Sequence, residues 1–481
     1  MRNGVQLIAY ADRFGAGGIA GVHAILDGPL SGVFTGVHLL PFYRPYDGAD
    51  AGFDPTDHGS VDPRLGKWED IALLARSYDV TADMIVNHIS SDSEEFRDFA
   101  ERGDVSSYVD LFVDVASVFP GGPTAAEQAA IYRPRPTSPF TVFTIAGEDR
   151  LLWTTFTDRQ VDIDVKSVSG SAYLDRILGR LDGAGVAQVR LDAVGYAIKT
   201  AGTSCFMTPQ TLVFIDDLSR RIHAAGMEVL VEIHAHYETQ IGIAARVDRV
   251  YDFALPPLVL HTLYTGSAAA LKRWLSMAPR NAVTVLDTHD GIGVIDVGPE
   301  GDRPGLLSSA EIDALVESIH TCTNGESLRA TGSAASNLDL YQVNTTFFSA
   351  LNRDHDAYVI ARLIHLMSPG IPQVYYAGLL ATPNDMDLLE TTGVGRDINR
   401  PFFGADDIER AVERPVVARL LDLVRLRSTH PAFDGEFSLG DGPDHTIEMT
   451  WRNDNHRVSA MIDVRAMTFA LDATDDEPVP A

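Results

Sequence analysis

Three carboxylates stand at or just past the ends of short, mainly aliphatic runs. They are Asp192 in Val189-Arg190-Leu191-Asp192, Glu232 in Val229-Leu230-Val231-Glu232, and Asp290 shortly after Val283-Thr284-Val285-Leu286-Asp287. A carboxylate delivered by a buried strand must be hydrogen-bonded, paired or used, because an apolar interior penalises an unpaired charge heavily. Arg190 shares the strand face of Asp192 two residues earlier and is its natural charge partner. Taken alone, such an R-x-D pair is read more simply as a buried salt bridge. Three acids in the same setting change that reading. Forty residues separate Asp192 from Glu232 and fifty-eight separate Glu232 from Asp290, about one and two strand-helix units of a parallel barrel that spends roughly 30 residues on each. All three can then project into one mouth, where such barrels collect catalytic groups from the C-terminal ends of several strands. Paired acids of this kind suit glycosyl transfer, one protonating the leaving oxygen and the other facing the anomeric carbon. The spacing by itself describes a retaining, glycosidase-like site.

Positioning those acids takes alternating strands and helices. Strands are predicted at Val5–Tyr10, Phe34–Pro41, Asp79–Asn87, Val186–Leu191, Met227–Glu232, Arg249–Leu255, Val283–Asp287 and Pro372–Tyr376. Helices are predicted at Tyr173–Leu181, Pro209–Ala225 and Leu363–Met367. This alternation predicts an α/β fold, a TIM (β/α)8 barrel formed by residues 1–86, 167–291 and 355–430. Residues 87–166 interrupt it with polar, aromatic and proline-rich sequence, too long for a structureless loop, so an inserted subdomain is expected there. Within it, Arg133-Pro134-Arg135-Pro136 braces two cations between prolines. Residues 292–354 form a second insertion, with a helix at Ser309–Thr321 and a loop at Ser336–Gln342. Residues 431–481 alternate as a small antiparallel β domain, with Asp472–Ala481 as a loose acidic tail. Gly15–Gly21 lacks the G-x-G-x-x-G spacing of a dinucleotide loop and reads as a flexible turn between strand and helix.

The loop after the second strand sets Phe53 beside Asp50 and Asp54, the mixture of ring face and hydroxyl-binding carboxylate that sugar sites use. Across 481 residues, 38 basic side chains face 67 acidic ones, a net charge of −29. That balance argues against nucleic-acid and anionic-membrane partners. Any phosphate substrate must therefore be held by a local cationic pocket. Met1–Tyr10 shows neither a long apolar segment nor a cleavage pattern, and the expected location is the cytoplasm without a membrane span. Cys205 and Cys322 have no metal or redox spacing and read as small buried side chains. Neither a His/Cys cluster nor an EF-hand loop is present in the sequence, so neither metal nor cofactor is expected.

Arg190-Leu191-Asp192-Ala193-Val194, Glu232, His289-Asp290 and Asp83-Met84-Ile85-Val86-Asn87-His88 resemble the conserved regions of the α-amylase superfamily, glycoside hydrolase family 13. More narrowly, Ile131–Pro136, Ala334–Gln342 and Gly395–Arg400 resemble sucrose phosphorylases of the bifidobacterial type. The resemblance runs from about Gly4 to the 430s and fades over a short C-terminal stretch. It implies a barrel with inserted domains B and B′ and a double displacement without cofactor or metal. Asp192 would be the nucleophile, kept ionised by Arg190, with Glu232 as acid/base and Asp290 stabilising charge. Asp50, Phe53 as a stacking platform, His88, Phe156, Gln160, Arg190, Tyr196, His289 and Arg400 would bind the donor. Arg135, His234, Asp339, Leu340, Tyr341 and Gln342 would surround the acceptor side, where fructose leaves and phosphate enters. The implied reaction is sucrose plus phosphate giving α-glucose 1-phosphate plus fructose, with transglucosylation beside it and small molecules as the only partners. Ile233 and His234-Ala235-His236 fall in the most variable part of that pattern. Three alternatives stay open: a phosphorylase of sucrose 6′-phosphate or glucosylglycerol, a hydrolase or transglucosidase on the same site, and a sugar-binding barrel without activity. Assembly as a monomer or a homodimer also stays open.

Overall fold

The computed structural model describes residues 1–48, 50–133, 138–331 and 342–475. Eight strands pair in parallel in chain order: Gln6–Ala9, Gly36–Leu39, Asp79–Ile85, Gln188–Asp192, Glu228–Val231, Arg249–Asp252, Ala282–Thr284 and Ile371–Tyr375. The first bonds to both the second and the last, closing the barrel. The ladder ends sooner than the sequence predicts in several strands, so Asn87, Glu232 and Asp287 lie just beyond it. Chain that has left the ladder is free to turn its side chains over the mouth.

Alternation along each strand sorts the side chains into two sets. Val37, Val80, Val189 and Val229 face the helices, whereas Gln6, His38, Thr81, Asp83, Gln188, Arg190, Tyr251 and Gln373 fill the interior, all buried. A barrel of this size is packed by its own side chains, and here many of them are polar. Gln373 donates to Gln6 Oε1 at 2.7 Å, Tyr251 to Gln373 Oε1 at 2.9 Å and Thr81 to Gln188 Oε1 at 3.1 Å.

The helices begin where their caps dictate. Ser167 accepts from the Gly170 amide to start Val168–Gly183, which buries Tyr173, Leu174, Ile177, Leu178 and Leu181 against the barrel. Thr208 caps Pro209–Ala224 in the same way, with proline in its first turn. The second insertion contains the helix Ser309–Cys322, and His355–Met367 precedes the last strand. After the third strand come the helix Glu94–Arg102 and the hairpin Phe140–Ile145 with Glu148–Trp153. Beyond the helix Pro415–Thr429, a four-stranded antiparallel sheet is anchored by Trp451, whose indole donates to Met367 O at 2.8 Å. Among the described residues no helix is long and apolar enough to cross a membrane.

Two expectations are corrected. The glycine stretch is not a flexible turn throughout, because Gly18–Asp27 is a helix. A Cβ on Gly18 would stand 2.0 Å from Leu65 O and one on Gly21 1.9 Å from Ala16 O, so these glycines permit close backbone packing. The acidic tail is not loose from Asp472, because Thr468–Asp475 is the edge strand of the terminal sheet, bonded along its length to His456–Asp463.

Gly21 and the exposed Gly179, which lies within Val168–Gly183 with open space around its Cα, should respond oppositely to alanine. Gly21→Ala should destabilise by about 1 to 3 kcal/mol through overpacking, and Gly179→Ala should stabilise by about 0.5 to 1 kcal/mol through helix propensity. Urea midpoints of the two variants check both signs.

Candidate active site

Across the third and fourth strands Arg190 stands directly opposite Asp83, and Asp192 is the last residue of its strand. One buried guanidinium therefore meets three acids. Its Nη1 donates to Asp83 Oδ1 in a short contact and to Asp192 Oδ1 at 3.0 Å, and its Nη2 lies 2.8 Å from Glu232 Oε1. Asp83 also receives His38 Nε2 at 2.9 Å. Burial pushes the Asp83 carboxyl up, but Arg190 and His38 outweigh it and hold the group down at about 2. Asp192 goes the other way. Burial and then the neighbouring charge of Glu232 push it well above the usual carboxylate range, against the pull of Arg190. Arg190 pulls Asp192 down, as expected of a charge partner, but the same guanidinium is shared among three acids. Asp192 and Glu232 stand as like charges on the two arms of one guanidinium. Gripped by one guanidinium, they suit the shorter carboxyl separation of roughly 5 to 5.5 Å found in retaining enzymes.

Asp290 belongs to the loop past the seventh strand. Burial would raise it, but Arg396 at 2.8 Å, His289 at 3.7 Å and Arg400 at 3.8 Å hold it far below its ordinary value. Arg396 also reaches within 3.8 Å of Asp50, whose other oxygen accepts from Gln160 Nε2 at 3.3 Å. Sequence reasoning named Arg400 and missed Arg396. Arg396 lines the pocket, while Arg400 is buried behind it, donating from Nε to His289 O at 2.8 Å. The motif Gly395–Arg400 holds both, and nothing in its composition says which arginine turns inward.

The pocket brings together Asp50, Phe53, His88, Phe156, Asp192, Tyr196, Glu232, Ile233, His234, His289, Asp290 and Gln342. Phe53 lines the pocket, and its ring lies parallel to His289 at 4.8 Å and 7°, so the imidazole covers one of its two faces. Burial holds His289 at about 3 and also lowers His88, whose Nε2 meets Phe53 O at 3.0 Å. Tyr132 and Phe206, missed by sequence reasoning, extend an aromatic wall from Phe156 and Tyr196, with ring centroids 4.6 to 6.1 Å apart. Tyr132 lies within the Ile131–Pro136 motif, whereas the only signal for Phe206 was aromaticity in a loop. That wall is braced from behind by Lys199, whose buried ammonium donates to Asn87 Oδ1 at 2.9 Å, Thr155 Oγ1 at 3.1 Å and Tyr196 O at 2.5 Å, and pairs with Asp162 at 2.6 Å.

Of the residues expected on the acceptor side, His234 stacks on Phe253 at 3.9 Å and its Nε2 lies 3.2 Å from Gln342 Nε2. Arg135, Asp339, Leu340 and Tyr341 lie outside the described residues. The expectation of no metal cluster needs one qualification. Among the described residues, Glu232, His234 and Asp290 offer ligand atoms within 4.8 Å of one another. The two carboxylates already pair with Arg190 and Arg396.

No family model matches the chain. It is 56% identical over 453 residues, 94% of this chain and 93% of the relative, to a sucrose phosphorylase of Agrobacterium vitis. It is 50% identical to a sucrose phosphorylase of Bifidobacterium adolescentis, over 95% of this chain and 92% of the relative. The crystal structure of a sucrose 6F-phosphate phosphorylase from Thermoanaerobacter thermosaccharolyticum aligns with a TM-score of 0.90 at 37% identity, covering 98% of this chain and 96% of that one.

Removing the shared cation should be costly in a pH-dependent way. Arg190→Gln should destabilise by about 3 to 5 kcal/mol, the range for stranding buried charge. Without the arginine, Asp83 loses the main charge that holds it down and Asp192 the pull that opposes its rise, so the folded variant binds more protons. The deficit should therefore be larger near pH 7 than near pH 5. Denaturant titrations at the two pH values check the sign, and an equal deficit at both would refute it.

Proposed function

The chain belongs to the sucrose phosphorylase family of the α-amylase superfamily, and from that premise we infer that it catalyses the reversible, retaining phosphorolysis of sucrose to α-glucose 1-phosphate and fructose. The observation that carries this reading is Arg190 gripping Asp192 and Glu232 together in one buried pocket. Two carboxylates held on one guanidinium supply the pair of groups a double displacement needs, a nucleophile and an acid/base. Glu232 gives its proton to the glycosidic oxygen as Asp192 attacks the anomeric carbon. The bond to fructose breaks and a β-glucosyl ester forms on Asp192. The positive charge that develops on the sugar favours the ionised form of Asp192 in that step. Phosphate then enters from the side fructose left and gives its proton to Glu232. Its oxygen displaces Asp192, and the second inversion restores the α configuration.

Asp290, held anionic by Arg396, would grip sugar hydroxyls, and Asp50 with Gln160 would close the far end of the donor pocket. His88 and His289, both neutral by burial, offer hydrogen bonds without adding positive charge near the forming oxocarbenium ion. A sugar-binding barrel without activity has no use for two like-charged acids crowded together, which is a cost that binding alone does not require. Phosphate must reach the ester against a net charge of −29, so cations on the acceptor side decide its competition with water. Arg135 is our candidate for the largest share of that work, its planar fork matching two phosphate oxygens.

Incubation with sucrose, with and without phosphate, should give glucose 1-phosphate only when phosphate is present. Free glucose in equal amount under both conditions would point to a hydrolase. Asp192→Asn should lower turnover on the order of 10^4-fold or more, since no neighbouring group replaces the nucleophile. Glu232→Gln should lose sucrose far more than glucosyl fluoride, whose leaving group needs no proton. Equal loss on both donors would remove Glu232 from the acid role.

A further inference from the structure

His234 is held on three sides, and two of the holds come from the second insertion. Its ring lies on Phe253 at 3.9 Å and 14°. Its Nδ1 is 3.3 Å from Asp296 Oδ2, and its Nε2 is 3.2 Å from the Gln342 amide. Asp296 and Gln342 reach the ring through one device. The short strands Ile292–Gly293 and Gln342–Val343 pair antiparallel with Gly293 opposite Gln342, and Asp296 follows in a single 3-10 turn. Gly293 is needed at that point, because a Cβ there would stand 2.7 Å from Asp296 Oδ2 and 3.3 Å from His234 Nδ1.

Asp296 is wholly buried and is itself fixed, accepting at Oδ1 from the Ala235 amide at 3.1 Å and from Gln240 Nε2 at 2.9 Å. A buried carboxylate locked on Nδ1 dictates that Nδ1 carries hydrogen, which leaves Nε2 as the edge that changes. That edge belongs to the pocket, where a ring nitrogen of His234 lies within 4.8 Å of carboxylate oxygens of Glu232 and Asp290. Gln342 can serve both states, donating its amide to bare Nε2 and accepting through its carbonyl from Nε2–H.

We propose that Asp296 is a positioning residue for the acceptor step, holding His234 with its Nε2 edge turned to the pocket so that it presents a proton to an oxygen of the incoming phosphate. The proposal rests on the phosphorylase reading above and names a second cationic anchor beside the acceptor arm. The charged groups facing the ring are Asp296 from the turn, Glu232 on its own loop and Asp290 past the seventh strand, the latter two paired with Arg190 and Arg396. Asp252, on the element that carries Phe253, is bonded to Trp274. Burial works against charge on His234, but these acids, Asp296 foremost, raise its pKa above the ordinary value. Protonated His234 is therefore present below that raised value and lost as pH rises through it.

Phosphate ionisation is common to all variants, so comparison between variants at each pH isolates the protein. Asp296→Asn should raise the phosphate KM about tenfold near pH 6, the size of one hydrogen bond to a charged group. It should leave glucosylation by glucosyl fluoride within about twofold and flatten the pH dependence of the phosphate KM. In a His234→Gln background the same change should alter the phosphate KM by less than about twofold, because an effect carried through His234 has nothing left to act on. An unchanged phosphate KM in Asp296→Asn, or an equal loss in both backgrounds, overturns the proposal. Should Asp296→Asn not fold, Gly293→Ala wedges the same contact more gently and must raise the phosphate KM; no rise there overturns it equally. Wild-type protein that makes no glucose 1-phosphate refutes the phosphorylase reading itself, a result distinct from all of these.

Discussion

One guanidinium holds three acids in the floor of this barrel, and the rest of the site is arranged around that fact. Arg190 can sit fully buried only because Asp83, Asp192 and Glu232 surround it, and the acids can be that close only because it stands between them. Neither side is tolerable without the other in a low-dielectric interior. The polar packing beneath follows from the same demand. His38 completes Asp83, Tyr251 bonds to Gln373, and Gln373 bonds to Gln6, so the charged layer rests on neutral hydrogen-bonding groups.

Above that floor the work is divided between barrel and insertions. Asp192 at its strand end and Glu232 one residue past its own are the proposed reacting carboxylates, held by parallel strands that bond on both sides. Loops and insertions supply the walls. Arg396 pairs with Asp290 and approaches Asp50, while the paired short strands of the second insertion bring Asp296 and Gln342 to His234. On the proposed reading, donor geometry is tied to the core of the fold and acceptor geometry to an inserted segment.

Asp192, Glu232 and Asp290 were legible in the sequence because each follows a short aliphatic run, and that pattern survives without knowledge of contacts. Helix starts were legible for a similar reason, with Ser167 and Thr208 marking them locally. What could not be read were relations across long separations. Asp296 lies 62 residues from His234, and nothing near either residue announces the pair. Gln6, Gln188 and Gln373 sat unremarked inside strand patterns, since a barrel interior shows its polarity only once all eight strands are placed. Gly15–Gly21 was misread because glycine serves flexibility and tight packing alike, and only Leu65 O and Ala16 O, standing where a Cβ would fall, separate the two. Phe53 had the right composition for a sugar platform, but the stacked His289 was not visible from its neighbours.

The ammonium of Lys199 has a consequence for how the first insertion is joined to the barrel. Asn87 and the Tyr196 carbonyl belong to barrel loops, whereas Thr155 and Asp162 belong to the insertion, and oxygens of all four lie within 3.1 Å of a single nitrogen. A soluble ion in such a position would come and go with its concentration. This one is covalently tethered, so its effective concentration at the joint does not fall on dilution or with a change of buffer. The stoichiometry of the joint is set when the chain is synthesised, one cation per molecule.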